Sequence, residues 1–228
     1  MGIEDDLNLQ VREILRAQWE TREGRVVPAP ESIRQTNYAV KLEGVVLYAD
    51  MASSTALVQA WQPWFAAAMY KVFLRCCARI VRSEEGTITS YDGDRIMAVF
   101  IGAAKSTQAA RCALKINHAV KRVINPAVAE RFPQSPYEMG HSVGVDTSPL
   151  FVANAGIRGD NDLVWVGRSA NWAAKLSDLP PSHPSRITQD VHDTMADVVK
   201  NSSDGRPMWE ATTWNGNRIF QSNWIWRP

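Results

Sequence analysis

Three sets of residues have the types and spacing to do chemistry. In GVVLYADMASSTAL, residues 44–57, an apolar run ends in a carboxylate, Asp50, and small hydroxyl residues then open a helix. A strand that delivers a carboxylate beside a helix N-terminus sets a cation ligand next to a phosphate site. The second carboxylate, Asp94, lies in GTITSYDGDRIMAVFIG, where two strand-like runs meet at Asp92-Gly93. That dipeptide predicts a hairpin turn, which explains Asp92 and leaves Asp94 to open the next strand. Two carboxylates on neighbouring strands can hold two divalent ions about 3.5–4 Å apart, the equipment for displacement at phosphorus. Third, Asn171 and Lys175 stand four apart in RSANWAAKLSDL and share one face of a predicted helix. An amide and a cation so placed can hold a ribose oxygen and stabilise phosphoryl charge. A solvated helix face explains the same pair, so only its company gives it meaning.

The elements that position these residues follow from pattern. Leu7, Val11, Ile14, Leu15 and Trp19 predict an amphipathic helix over 5–20, and the prolines of GRVVPAPES break it. Residues 1–42 therefore form a helical extension and linker, and 43–228 the main domain. A strand over 44–50 is followed by helices, the longer one carrying Phe65, Met69, Val72, Cys76 and Ile80 through about residue 82. Ala109, Cys112, Ile116 and Val123 mark another helix, which Pro126 is expected to end. HSVGVDTSPLFVANAG is expected to be a second hairpin turning near Pro149. Then come the strand DLVWVG, the helix of Asn171 and Lys175, the strand RITQ, a short helix, and two strands from PMWEATTW and RIFQSNWIW. Strands of this length, mostly hairpin-connected and interleaved with helices, predict an α+β sandwich: helices on one side of a mainly antiparallel sheet.

Composition excludes several classes. The net charge of +1 over 228 residues gives no case for nucleic acid or a charged membrane surface. No apolar run reaches the roughly 18–20 residues that span a bilayer, and the acidic Glu4, Asp5 and Asp6 are unlike a signal peptide. Cys76, Cys77 and Cys112 lack metal-ligand spacing and read as small core residues. A cytoplasmic protein is expected. Of nine tryptophans, Trp165, Trp209, Trp214, Trp224 and Trp226 fall in predicted strands, where they would cover a sheet.

Taken together, the three motifs resemble a known family. LYADMASST is similar to the first metal-binding strand of the class III nucleotidyl cyclases, SYDGDRIMAVF to their second metal-binding hairpin, and VGRSANWAAKL to their Asn/Arg helix. Order and spacing agree over residues 43–228. The resemblance implies a ferredoxin-like core, two Mn²⁺ or Mg²⁺ ions per site, and ligands from Asp50, Asp94 and the Met51 carbonyl. It implies backbone N–H groups around Ser53, Ser54 and Thr55 on the triphosphate, and Asn171 on the ribose. Lys175 stands where the family has Arg and keeps its charge without the bidentate fork. Arg218 is the cation nearest to a phosphate-binding Lys of the last hairpin. The resemblance further implies a head-to-tail homodimer whose active sites lie at the subunit interface.

The departures bear on the base. The adenine- and guanine-reading positions of the family are Ser90 and Val164 here, and neither purine-reading pair is present. A site built to hydrogen-bond one base loses heavily when a partner is missing, which disfavours ATP and GTP. Tyr48 replaces a Phe at the wall of the base pocket. Trp165 can fill purine volume, and Arg95 is a candidate for reading a base carbonyl, although alternation turns it away from Asp94. These features resemble the compact pyrimidine cyclases of the bacterial Pycsar antiphage systems. The resemblance implies cyclisation of UTP to 3′,5′-cyclic UMP and pyrophosphate, as a second messenger for a separate cyclic-nucleotide-sensing effector. Cytidylate or adenylate cyclisation, and a silent nucleotide-binding module of the same fold, are the alternatives. A diguanylate cyclase is not supported, because SYDGDR lacks that signature.

Overall fold

The computed structural model describes residues 2–157 and 159–228. In chain order the elements are α1 (Ile3–Arg16), β1 (Glu20–Glu23), β2 (Tyr38–Ala52), α2 (Ser54–Ala60), α3 (Pro63–Ser83), β3 (Thr87–Asp92), β4 (Arg95–Phe100), α4 (Lys105–Ala119), α5 (Asn125–Arg131), β5 (Gly140–Ile157), β6 (Asp160–Val166), α6 (Arg168–Ser177), β7 (Ser185–Thr188), α7 (Gln189–Thr194), β8 (Glu210–Trp214) and β9 (Asn217–Ser222). The chain divides into two units, residues 1–43 with 149–167, and residues 44–148 with 168–228.

In the smaller unit, β1 runs parallel to the first residues of β2, and β6 pairs antiparallel with the last residues of β5. Helix α1 ends at Arg16, four residues before the expected end, because the chain turns extended at Ala17. Asn37 donates from Nδ2 to the Ile14 and Ala17 carbonyls, satisfying orphan acceptors at that helix end. Trp19 lies outside the helix and packs edge-on against Phe151. Residues 140–157 form one continuous strand, not the expected hairpin. Pro149 falls between the stretch of β5 paired with β7 and the stretch paired with β6, so its missing N–H interrupts neither ladder.

In the larger unit the strands follow the order β3-β4-β2-β5-β7-β9-β8, all antiparallel where their pairing is given except β5 with β7. Val45, Leu47, Ala49 and Met51 of β2, with Ile96, Ala98 and Phe100 of β4, project into one buried core. Phe65, Met69, Phe73 and Ile80 of α3 and Ala109, Cys112 and Ile116 of α4 fill the same core. Helix α6 covers the opposite face, against the one-sided arrangement expected. Gly144, which alternates with the core-facing Val143 and Val145, explains how. A Cβ there would meet the Ala173 carbonyl at 2.1 Å, so only glycine lets α6 lie this close to β5. Pro126 does not end a helix. A π-helical turn over Val120–Ile124 follows α4, and Pro126 sits in the first turn of α5, where its missing N–H costs nothing. Among the tryptophans, Trp165 and Trp214 lie in strands, while Trp209, Trp224 and Trp226 lie outside them.

His141, at the start of β5, is buried to 2% exposure, and its Nε2 has no partner among the described residues. Burial lowers its pKa to about 3. Unfolded, the imidazole titrates near 6.5; folded, it stays neutral. Stability is therefore full above about pH 6.5 and declines by roughly 1.4 kcal/mol per unit as pH falls towards 3. His141→Phe should flatten the acid decline of the thermal midpoint between pH 6 and 4.5, as measured by scanning calorimetry. An unchanged slope would show that other groups dominate it.

Candidate active site

Asp50 lies two residues before the end of β2, with Arg95 as its Cα partner on β4. The pair therefore shares a face, and Arg95 Nη2 donates to Asp50 Oδ2 at 2.9 Å. The same guanidinium reaches Asp178 Oδ1 at 2.5 Å, just beyond α6, and lies 5.8 Å from the centre of the Tyr48 ring. Burial pushes the Asp50 carboxyl above its ordinary range; Arg95 pulls it back, and the charges of Asp94 and Asp178 push it further up. The Tyr48 hydroxyl is likewise raised, first by burial, then lowered by Arg95 and raised by Asp92.

Asp94 stands in the turn, not in β4. Asp92 pairs with Arg95, leaving Gly93 and Asp94 as the two turn residues. Gly93 alone takes a positive φ, 58°, as in turns with glycine in first place. Asp92 thus belongs to the ladder, and the alternation that would turn Arg95 away from Asp94 does not apply. The charge that reaches Asp50 from this hairpin is that of Asp94.

Ser90 reaches the Tyr48 face because of an irregularity. Ile88 pairs with Ala98 and Ser90 with Met97, so Thr89 is an extra, bulged residue whose Oγ1 donates to the Met97 carbonyl at 3.4 Å. Tyr48 also pairs with Met97, which puts Ser90, Met97 and Tyr48 in one row across three strands. The bulge sends Tyr91 to the other face.

After Met51, which is buried, Ser53 adopts φ 60° and ψ 30° immediately before α2. Left-handed backbone at a non-glycine residue is costly and clusters at ligand-holding turns. Ser53 and Thr55 are exposed and Ser54 half-buried. A cavity of about 260 Å³ opens here, lined by Asp50, Met51, Ser53, Ser142, Asp178 and Pro181 among others.

Asn171 and Lys175 are exposed on α6, opposite its buried Ala170, Ala173 and Leu176. Neither makes a hydrogen bond or ion pair among the described residues, and no contact joins them to Asp50. The N-terminal end of α6 is fixed by Arg168, whose guanidinium donates to both oxygens of the fully buried Asp146 at 3.1 Å and also pairs with Asp190. Thr188 donates to Asp146 Oδ1 at 2.6 Å. Sequence pattern missed this network, as it missed Asp178; no local spacing marks either. Trp165 lies in the smaller unit, half-buried on β6 and paired with Val152. Arg218 is exposed on β9, its guanidinium 5.3 Å from the Phe220 ring.

Among the described residues no three His, Cys, Asp or Glu side chains form a ready metal cage. Two carboxylates and a backbone carbonyl match a Mg²⁺- or Mn²⁺-type site completed by waters and substrate phosphates. The half-buried Asp50, its charge crowded by Asp94, fits such an ion, which would take over the counter-charge now given by Arg95.

No family model matches the chain. It is 47% identical over 231 residues to a uridylate cyclase from Xanthomonas perforans, covering 100% of this chain and 99% of that one. A uridylate cyclase from Burkholderia cepacia is 48% identical over 230 residues, covering 99% of each. Among solved structures, the guanylyl cyclase Cya2 superposes with a TM-score of 0.67 at 16% identity, over 82% of this chain and 95% of that one. The sheet that carries Asp50 and Arg95 is thus the sheet of the class III nucleotidyl cyclases, and by full-length likeness the chain belongs to the uridylate cyclase family.

Proposed function

We propose that this nucleotide cyclase converts UTP to 3′,5′-cyclic UMP and pyrophosphate. One observation carries the base preference: the Arg95 guanidinium stands between the Asp50 carboxylate and the Tyr48 ring, with Ser90 in the next row. Tyr48 stacks on the pyrimidine, and Ser90 and Arg95 offer donors to its carbonyls. Asp50, Asp94 and the Met51 carbonyl hold the divalent ions, which when bound would supply acidity to the ribose 3′-hydroxyl and neutralise triphosphate charge. With Asp50 engaged by an ion, Asp178 would still hold Arg95 and keep its guanidinium beside the base. Backbone N–H groups at Ser53, Ser54 and Thr55 cradle the triphosphate. Asn171 orients the ribose, and Lys175 stabilises charge on the phosphoryl group in flight. Both come from the α6 of a second subunit, so the active form is a homodimer with two shared sites. The cyclic nucleotide serves as a second messenger in antiphage defence, acting through a separate effector in the same cytoplasm. No helix among the described residues is long and apolar enough to cross a membrane.

The test is product identification by mass spectrometry from an equimolar mixture of the four ribonucleoside triphosphates with Mn²⁺. Cyclic UMP should exceed every other product by about tenfold or more, the discrimination that roughly 1.4 kcal/mol in the transition state gives. Cyclic AMP or cyclic CMP as the main product would overturn the assignment of the base.

A further inference from the structure

The outer face of α3 is strongly basic and uncompensated. Lys71, Arg75, Arg79 and Arg82 follow one another at intervals of four, four and three, so they form one stripe, and all four are exposed. The 21 residues of α3 include no Asp or Glu. Like charges at these intervals repel along a helix. None of the four side chains is in an ion pair among the described residues. The acids just past the helix are engaged elsewhere: Glu84 holds Arg111 and Lys115, each at 2.7 Å, and Glu85 accepts from Gln108. In a chain whose net charge is only +1, this is a local concentration of positive charge, not a general property.

The stripe also has a shape. Arg75, Ala78, Arg79, Arg82 and Tyr91 line a hollow of about 580 Å³. Tyr91 comes from β3, the outermost strand of its sheet, and the bulge at Thr89 turns it to this face, where the residue is 55% exposed. The volume lies in the range of small-molecule sites, about 300–1,000 Å³. Guanidinium groups are planar forks suited to phosphate oxygens, and an exposed tyrosine ring offers a stacking surface for a base.

We propose that this hollow binds a nucleoside phosphate, its phosphate groups along Arg75, Arg79 and Arg82 and its base against Tyr91. The site is distinct from the one around Asp50, which lies on the opposite face of the same strands. It does not rest on the cyclase assignment. Ser90 and Tyr91 are adjacent in β3 and face opposite ways, so a ligand on Tyr91 touches the strand that supplies Ser90 to the other site.

Isothermal titration calorimetry on the full chain tests this, with ADP and inorganic pyrophosphate as probes. ADP should bind saturably, and Asp50→Ala should leave that binding in place. R75Q/R79Q/R82Q should weaken both probes by about tenfold or more, as expected for losing charge-assisted contacts. Tyr91→Ala should weaken ADP by about threefold or more and leave pyrophosphate unchanged, as expected for losing a stacking partner. Circular dichroism and the thermal midpoint of each variant establish that it is folded, and R75K/R79K/R82K should retain pyrophosphate binding. Equal ADP affinity in the triple glutamine variant and the wild type would overturn the proposal. So would loss of all ADP binding in Asp50→Ala, or a single-stranded oligonucleotide binding the stripe more tightly than ADP.

Discussion

Asp50→Ala is expected to lower the turnover of nucleotide cyclisation by about a thousandfold or more, some 4 kcal/mol of transition-state stabilisation, while the chain stays folded. Asp50 is half-buried and its carboxyl is pushed above the ordinary range by burial and by Asp94 and Asp178, so the fold gains little from its charge. Arg95 keeps Asp178 when Asp50 is removed. Asp50→Asn separates two roles. An amide oxygen can still accept from Arg95, but a neutral amide is a poor ligand for a hard divalent cation. If Asp50 holds metal, Asn should be nearly as damaging as Ala, and raising Mn²⁺ should recover little. Should Asp50→Asn keep more than about a tenth of wild-type turnover, Asp50 would be an anchor for Arg95 and the two-metal assignment would fail. Asp178→Ala is the companion measurement. It should change the Michaelis constant more than turnover, because the ion pair of Asp178 is with the Arg95 guanidinium.

What could be read in the sequence was what local pattern encodes. An apolar run followed by Asp50 gave a strand, and alternating residues around a Gly-containing turn gave the β3–β4 hairpin, because side-chain period and turn chemistry are short-range properties. The exact turn residues were misplaced by one. Asp-Gly and Gly-Asp both suit a tight turn, and only the Asp92–Arg95 pairing decides between them. The bulge at Thr89 was not legible, since a strand with one extra residue has no distinct composition; yet it decides which face Ser90 and Tyr91 occupy. Pro149 misled for a similar reason. A proline usually interrupts a strand, but here it falls where neither the β7 nor the β6 ladder needs its N–H. Asp178 was out of reach because its meaning comes from Arg95, 83 residues away. The Asn171 and Lys175 helix was found by spacing, but its place on the opposite sheet face from α3 depends on Gly144, which a linear reading cannot weigh.

That placement leads to the second large effect. Asn171 and Lys175 are exposed on α6 with no hydrogen-bond or ion-pair partner in their own chain among the described residues, while Asp50, Tyr48 and Arg95 meet where β2 and β4 pair. On the proposed homodimer, each chain would carry two half-sites. Asn171→Ala should cost about a hundredfold to a thousandfold in turnover, the loss typical of one preorganised donor. Asp50→Ala and Asn171→Ala, each nearly inactive alone, should then complement. In a heterodimer of the two, one shared site collects both defects and the other has neither. Co-expression with two different tags and selection for both should therefore give about half the wild-type turnover per dimer, as two-fold symmetry requires. A site complete within one chain would give no recovery at all, because each chain would keep its own defect. Lys175→Ala in place of Asn171→Ala should complement Asp50→Ala equally well. Asp94→Ala should not, because it falls in the same half-site as Asp50 and leaves both sites of the heterodimer damaged.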